Sequence, residues 1–496
     1  MSSHTPTTKT RSSAEHQRAG DGDTILELEP IQDGDGPAGA PHHAPSRSLA
    51  SRGIALVRRA TCYPPARSLR LRSTSWLDGA RGVAALAVYL FHAMGCWASI
   101  VPAWHADANQ TSFFQLPLVR SVFVAGGGAV SVFFVLSGYV LTHRCLAMIR
   151  VGAGCDVYPA VASSAFRRGF RLYLPPVLLT FCELLMTQAG YAPPLNFTFV
   201  PEPTFAAQLW DWLVETNNLV NPLHNFSRAI RGFVSHPKYD PVIWTIPVEF
   251  YGSMVCYALL VVLARVSRAG PRMAAVALLA VAGMALGCWN IFCFASGMLL
   301  ADFTLGQDAD ALPSASTSTR SRPRPLLWTV IFLVAFYIAG FPTLTFEESR
   351  TNPMPGFETL RALIPSGPFM EDRARFWWSI SGVVLLLAVS QVPRLKAVFE
   401  TNVCQYLAKI SFSLYLVHEF CIVLFGLKVQ SFLMWLAGVD KADPGLLYWV
   451  VCWTWFVVFT VPVFALAAQV ERWVDVPSVR FAKWLEERCL RVYKGL

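Results

Sequence analysis

The stretch WLDGARGVAALAVYLFHA, residues 76–93, is an apolar segment that nevertheless carries three ionisable side chains. A helix that crosses a bilayer needs roughly 20 mostly apolar residues, and this segment with its flanks reaches that length. Ionisable groups are energetically expensive at membrane depth, so those that occur there are functional candidates. Asp78, Arg81 and His92 are therefore the first residues to explain.

The whole chain has the composition of a multi-pass membrane protein. Of its 496 residues, 54% are hydrophobic and 15% are charged, whereas about a quarter of the residues of a soluble domain are charged. The net charge of +9 comes from basic residues in the tails and in alternate loops, which is typical of membrane orientation. The sequence contains no basic run interleaved with aromatic residues, which is the pattern that would indicate nucleic-acid binding. Membrane lipid is therefore the expected partner.

The hydropathy pattern predicts an all-α transmembrane helix bundle of about ten spans. The predicted spans are residues 77–100, 120–142, 172–190, 242–264, 273–289, 290–305, 326–345, 376–393, 409–427 and 447–469. Basic residues flank alternate loops, which predicts that both termini are cytosolic. Only a tight turn around Trp289 and Asn290 separates the fifth span from the sixth.

The remaining segments are predicted to be tails, an insert and a linker. Residues 1–73 are too poor in apolar surface to offset the entropy of ordering, which predicts a disordered cytosolic tail. The transmembrane domain covers 74–477. It contains a luminal insert at 191–240, which is predicted to be a small subdomain or a lid, and a cytosolic linker at 306–325. Residues 478–496 form a cytosolic tail, either an amphipathic helix on the membrane or a short solvated helix end.

Three Asn-x-Ser/Thr sequons begin at Asn109, Asn196 and Asn225. Such sequons are N-glycosylation acceptors in secretory-pathway proteins. All three fall in loops assigned to the lumen or exterior, which agrees with the predicted orientation. They favour a eukaryotic endomembrane or plasma membrane.

The ionisable residues of the first span are predicted to share one helix face. Arg81 and His92 are eleven residues apart, close to three helical turns and roughly 16 Å along the axis. Asp78 lies three residues before Arg81 and can pair with it. An imidazole suits general-base work on a hydroxyl, and a guanidinium suits an anionic ligand. The alternative is a buried structural histidine with a snorkelling arginine.

Other ionisable residues fall within later predicted spans. They are Glu183, Glu249, His418 and Glu419. Glu183 has no motif around it and is interpreted as structural. Glu249 either orients His92 or anchors another helix, since an unpaired carboxylate at this depth is destabilising.

Five segments resemble, in order, motifs of the acyltransferase-3 family of membrane-bound O-acyltransferases. They are LDGARGVAAL (77–86) followed by FHA (91–93), VFFVLSGY (132–139), FRRGFRLYLPP (166–176), WTIPVEFY (244–251) and ISFSLYLVH (410–418). The family's signature, an Arg and a His separated by ten residues on the first helix, is matched by Arg81 and His92. The resemblance covers about residues 74–480 and indicates a eukaryotic, fungal-type member. Pro247 departs from the pattern and is expected to kink the fourth span.

The resemblance implies transfer of an acyl group, acetyl being the family's usual one, from cytosolic acyl-CoA to an acceptor hydroxyl. His92 is the expected general base, with Arg81 and Glu249 beside it in the catalytic group; a briefly acylated His92 is an open alternative. Acyl-CoA is a co-substrate, and neither a bound cofactor nor a metal is expected. The acceptor is a small molecule, a lipid or a glycan, and the oligomeric state is unknown.

The binding residues follow from the same motifs. Arg167, Arg168 and Arg171 suit the phosphates of CoA, although a basic flank is also what topology alone places at a cytosolic helix end. Tyr415, His418 and Ser137 are candidates for substrate binding, with packing as the alternative for each.

A different class of function uses the same residues. A proton-coupled transporter or flippase could employ Arg81, His92 and Glu249 as a proton relay. Transporters often consist of two related halves, and no convincing internal repeat is found here. A catalytically inactive receptor is a third possibility, which the retained histidine and arginines disfavour.

Overall fold

The computed structural model describes residues 71–98, 100–106, 110–191, 199–224, 232, 236–311, 325–342, 354–369, 372–441 and 445–493. Within these ranges the chain is helical and contains no strand. The helices are α1 (Ser75–Gly95), α2 (Val119–Phe123), α3 (Gly126–Arg150), α4 (Val157–Gln188), α5 (Phe205–Val220), α6 (Thr245–Leu263), α7 (Ala269–Ala285), α8 (Trp289–Ala311), α9 (Pro325–Ala339), α10 (Phe357–Ala362), α11 (Ala374–Gln391), α12 (Pro393–Phe399), α13 (Asn402–Cys421), α14 (Leu427–Ala437), α15 (Leu446–Val470) and α16 (Val476–Tyr493).

The prediction of an all-α membrane bundle is confirmed. Each of the ten predicted spans overlaps a helix. In the described part of the chain, seven helical stretches are long and apolar enough to cross a membrane, and α7 and α9 are shorter apolar helices. α1 is not among these nine, since Asp78, Arg81 and His92 make it less apolar. The chain is therefore a multi-pass membrane protein.

The packing of α1 on α13 places the polar residues of both helices. The two helices run parallel: Arg81 contacts Ala408, and His92 contacts Glu419, both pairs being separated by 327 residues. Gly82 permits the close approach, because a Cβ atom there would lie 2.4 Å from the Ala408 nitrogen. Eleven residues of α1 are thus held in register with eleven of α13.

A second close crossing joins α3 to α8. A Cβ atom on Gly138 would lie 2.1 Å from the carbonyl oxygen of Phe294, so only glycine allows the backbones to approach this closely. Asp302 of α8 is nearly inaccessible and accepts two 2.7 Å hydrogen bonds from Arg272. Arg150 of α3 donates a third, also at 2.7 Å. A buried carboxylate with these partners connects the end of α3 and the start of α7 to α8.

Several boundaries differ from the prediction. The turn expected at Trp289 and Asn290 lies at 286–288, and both residues belong to α8. Pro247 lies in the first turn of α6, where a helix tolerates proline because the N–H groups of that turn have no partner within the helix. α4 begins at Val157, 15 residues before the predicted span.

Two predicted connecting segments are partly helical. α8 continues to Ala311, into the predicted linker, and α5 lies within the predicted insert. After α15 the chain makes a π turn, Glu471–Asp475, and continues as α16, whose Phe481 ring lies 6.2 Å from Phe170 of α4. The C-terminal segment thus packs against the bundle as a helix.

Some predictions concern residues outside the described ranges. These are the N-terminal tail up to residue 70, most of the linker, and the three sequons at Asn109, Asn196 and Asn225.

We predict that Gly82→Ala destabilises the protein, because its methyl group would overlap the α13 backbone. Overpacking of this kind costs about 1–3 kcal/mol, so the thermal unfolding midpoint in detergent should fall. Gly270→Ala is the matched control, since nothing lies within 4 Å of a Cβ atom there. Equal midpoints for the two variants would contradict the close packing of α1 and α13.

Candidate active site

His92 and Glu419 meet where α1 and α13 end. The Nδ1 atom of His92 lies 3.3 Å from Oε2 of Glu419. The two atoms are in contact but are not aligned as a hydrogen bond; catalytic hydrogen bonds are often poorly aligned before substrate binds. A neutral imidazole has one donor and one acceptor nitrogen. If Nδ1 donates to the carboxylate, Nε2 carries the lone pair.

A cavity of about 340 Å³ opens beside this pair. His92 and Glu419 both line it, together with Cys96 and apolar residues from α1, the segment after it, and the start of α14. The His92 side chain is 29% exposed. Its imidazole can therefore reach a molecule bound in the cavity.

His418 lies behind His92, with 5.1 Å between the ring centroids. It is fully buried, and Nδ1 lies 3.0 Å from the carbonyl oxygen of Leu414. Because a carbonyl only accepts, Nδ1 carries the proton and Nε2 is an acceptor; Nε2 has no hydrogen-bond partner among the described residues. Tyr89 packs edge-on against the ring at 6.5 Å.

The same three side chains could hold a metal ion. One ligand atom each from His92, His418 and Glu419 lies within 4.8 Å of the others. Two histidines and one glutamate form a known set of catalytic zinc ligands. The geometry is therefore compatible with two chemistries, a histidine–carboxylate pair or a metal centre, and experiment can separate them.

A buried polar group adjoins the pair on the side of α6. The hydroxyl of Tyr415 donates to the carbonyl of Val242 and lies 2.6 Å from Oγ1 of Thr245. These contacts tie α13 to the turn that precedes α6. Asp240 caps that turn by accepting from the Val242 amide at 2.8 Å. Burial, and to a smaller extent the nearby carboxyl group of Glu419, raise the pKa of Asp240 to about 7, although the hydrogen bond from the Val242 amide lowers it.

Glu249 does not contact His92. Its carboxylate accepts from Arg168, which also donates from Nε to Oγ of Ser253 at 3.0 Å. Ser137 of α3 hydrogen-bonds Glu249 as well. Glu249 thus contacts residues of other helices rather than His92, and Ser137 belongs to the same group of contacts.

The arginines predicted to bind CoA phosphates lie within α4 rather than at its mouth. Arg168 is buried and engaged with Glu249. Arg167 is 3.3 Å from Glu486 of α16, and Arg171 interacts electrostatically with Asp475 of the π turn. Each of the three guanidinium groups thus has an acidic neighbour, and Arg168 is the least accessible.

Arg81 lies far from His92, about three helical turns away along α1. It pairs with Asp78 at 3.5 Å, as the spacing predicts, and donates to the carbonyl of Ala408 at 2.9 Å. Close to it, Lys409 forms a 2.7 Å ion pair with Glu471. The structure therefore separates two polar centres: the His92 centre, of His92, His418 and Glu419, and a group of paired charges around Arg81.

Sequence reasoning did not pair Glu419 with His92, and it missed Asp240, which lies near Glu419. Glu419 was recognised as ionisable at membrane depth, but nothing in the sequence paired it with His92, 327 residues away. Asp240 lies in a segment whose fold the sequence does not specify. The sequence did contain one signal for Asp240: it directly precedes a proline and a predicted buried helix, and Asp is a preferred residue at a helix N-cap.

The candidate site thus consists of the histidine and carboxylate at the ends of the parallel helices α1 and α13 and the cavity beside them. Residues 74–469 match the model of a family described as an acyltransferase domain. The match spans most of the chain, and the chain belongs to this family, the acyltransferase-3 family that its motifs resemble.

Three fungal proteins are similar to the chain. O-acetyltransferase PaAT-1 of Phomopsis amygdali is 32% identical over 447 residues, which cover 85% of this chain and 86% of that protein. Acyltransferase R4 of a Phoma species is 25% identical over 82% of this chain and 94% of its own length. Acyltransferase clz18 of Cochliobolus lunatus is 25% identical over 65% of this chain and 73% of its own length. No solved structure matches.

The family and these relatives identify the chain as an O-acyltransferase of the membrane. Acyl transfer, and not transport, is the class of activity that they support.

We predict that chelation does not lower the activity, because a histidine–carboxylate pair needs no further ligand to act as a base. The measurement is acyl transfer by the purified protein before and after prolonged incubation with EDTA and 1,10-phenanthroline. Loss of activity that added Zn²⁺ restores would instead identify His92, His418 and Glu419 as metal ligands.

Proposed function

We propose that the protein transfers an acyl group, acetyl in the first instance, from acyl-CoA to a hydroxyl of an acceptor, with His92 as general base. The observation that carries this proposal is the contact between His92 Nδ1 and Glu419 Oε2, 3.3 Å apart beside a cavity. A carboxylate behind an imidazole fixes its tautomer and stabilises the imidazolium that forms in the reaction.

The proposed reaction is a direct transfer. Nε2 of His92 removes the proton of the acceptor hydroxyl while its oxygen attacks the thioester carbonyl. The carbon–oxygen bond forms, the carbon–sulfur bond breaks, and the CoA thiolate takes the proton from the imidazolium. The proton is thus returned within one turnover, and Glu419 needs only to stabilise the transient positive charge.

The donor is proposed to enter from the end of the bundle where Arg81 and the α4 arginines lie. With ten spans and cytosolic termini, this end faces the cytosol, where acyl-CoA is present. Arg167 and Arg171 are the proposed phosphate ligands. Their acidic neighbours lie on the C-terminal segment, in α16 and in the π turn that precedes it, whereas the acidic partner of Arg168 is Glu249 of α6. Arg168 is proposed to hold Glu249 and the helices around it rather than CoA.

The pantetheine arm would then carry the thioester along α1 from Arg81 towards His92. The axial separation of these residues, roughly 16 Å, is a distance that a long, thin arm can bridge. Arg81 is proposed to orient this path, because its partners Asp78 and Ala408 hold the guanidinium at the helix interface.

Tyr415 and His418 are proposed to position the base rather than to bind substrate. The hydroxyl proton of Tyr415 is committed to the Val242 carbonyl, so it is not available to an oxyanion. His418 packs against the ring of His92 and restricts its orientation. Both residues thereby support the geometry of the His92–Glu419 pair.

We predict that His92→Ala lowers the rate of acyl-dependent CoA thiol release about 10²–10⁴-fold, the usual contribution of general-base assistance. The measurement uses the full chain in lipid nanodiscs, with acetyl-CoA and a mixed extract of hydroxylated metabolites, and mass spectrometry of the products.

His143→Ala is the control, since this histidine of α3 stacks on Tyr139 and does not line the cavity. It should stay within about threefold of the wild-type rate, as expected for a change away from the reacting groups. Retention of the full rate by His92→Ala would contradict the proposal.

A further inference from the structure

The wall of the cavity beside His92 is largely apolar. Five hydrophobic side chains line it: Phe91, Ile100, Val101, Ile422 and Leu427. The polar side chains on the wall are His92, Glu419 and the thiol of Cys96. His92 and Glu419 face each other. Among the described lining residues, no amide, guanidinium or ammonium group offers a hydrogen bond to a second hydroxyl.

This lining discriminates between the acceptor classes that the sequence left open. A glycan carries many hydroxyl groups, and each one that is buried without a hydrogen bond loses free energy. A hydrocarbon framework with one hydroxyl gains free energy from the same wall. The volume of about 340 Å³ is in the lower part of the range found for small-molecule sites.

We propose that the acceptor is a lipophilic alcohol, whose apolar body fills this cavity while its single reactive hydroxyl contacts His92. This inference rests on the proposed function and adds the substrate class. The apolar wall supplies affinity, and the His92–Glu419 pair is the polar group that fixes the orientation of the hydroxyl.

Gly95 lies on the wall of this cavity, beside open space. It is the last residue of α1, one turn after His92, and lines the cavity. A Cβ atom on Gly95 would meet nothing within 4 Å. A large side chain at this position would therefore begin in open space on the wall of the cavity, and we expect it to reduce the room for the acceptor.

The first experiment measures kcat/KM of the full chain in nanodiscs for a series of acceptors with acetyl-CoA. The probes are primary alcohols from butanol to decanol, geraniol and farnesol, with glucose and sorbitol as polyols. We expect kcat/KM to rise about fourfold per methylene until the cavity is filled, which corresponds to about 0.8 kcal/mol per buried methylene. The polyols should be at least about a hundredfold poorer than geraniol, as expected when buried hydroxyls lack partners.

The second experiment separates binding in the cavity from partitioning into the lipid. Gly95→Phe should reduce the ratio of kcat/KM for farnesol to that for butanol at least about tenfold, a typical effect of changing pocket size. Gly270→Phe is the matched control, because Gly270 also has open space around it but lies on α7, away from the cavity. This control should leave the ratio unchanged.

The outcomes distinguish the inference from the proposed function. Transfer that depends on His92 but favours the polyols would overturn the lipophilic acceptor and leave the function standing. If Gly95→Phe excludes hexanoyl-CoA relative to acetyl-CoA and leaves the acceptor ratio unchanged, the cavity holds the acyl chain, and the inference is again overturned. Absence of any His92-dependent CoA release with every acceptor would instead refute the proposed function.

Discussion

The close, parallel contact between α1 and α13 is the constraint on which the rest of the site depends. Gly82 lets the two backbones approach until Arg81 can donate to the carbonyl of Ala408. Parallel helices have the same rise per residue, so the register set at Arg81 persists for three turns. This register brings His92 against Glu419 at the other end. If the helices were further apart, His92 and Glu419 would no longer be in contact with each other.

The cost of ionisable groups at membrane depth explains why the polar residues occur in sets. Asp302 has two arginine partners, and Glu249 is held by Arg168. These groups satisfy each other and connect helices. The His92 centre differs because it lines a cavity. An ionisable pair that retains access to a ligand is the arrangement expected of a reactive site.

Much of the fold was predictable from the sequence, because a bilayer requires long apolar helices and each one leaves a strong signal. The cost of intramembrane charges likewise selected His92, Glu249 and Glu419 as residues to explain. The sequence could not assign partners, since these depend on helix rotation and on contacts between distant segments. The sequence therefore left two roles open for Glu249. It also gave Arg168 the same predicted role as Arg167 and Arg171, although the rotation of α4 buries Arg168.

The central claim, that His92 and Glu419 act as one unit, is tested most directly by a double-mutant cycle on the rate of acyl transfer. Removal of a group that acts through another has little effect once the other is gone. Glu419→Gln should lower kcat about 10–100-fold in the wild type and at most about twofold in the His92→Ala background, with product quantified by mass spectrometry. An equal loss in both backgrounds would show that Glu419 acts independently of His92 and would contradict the account.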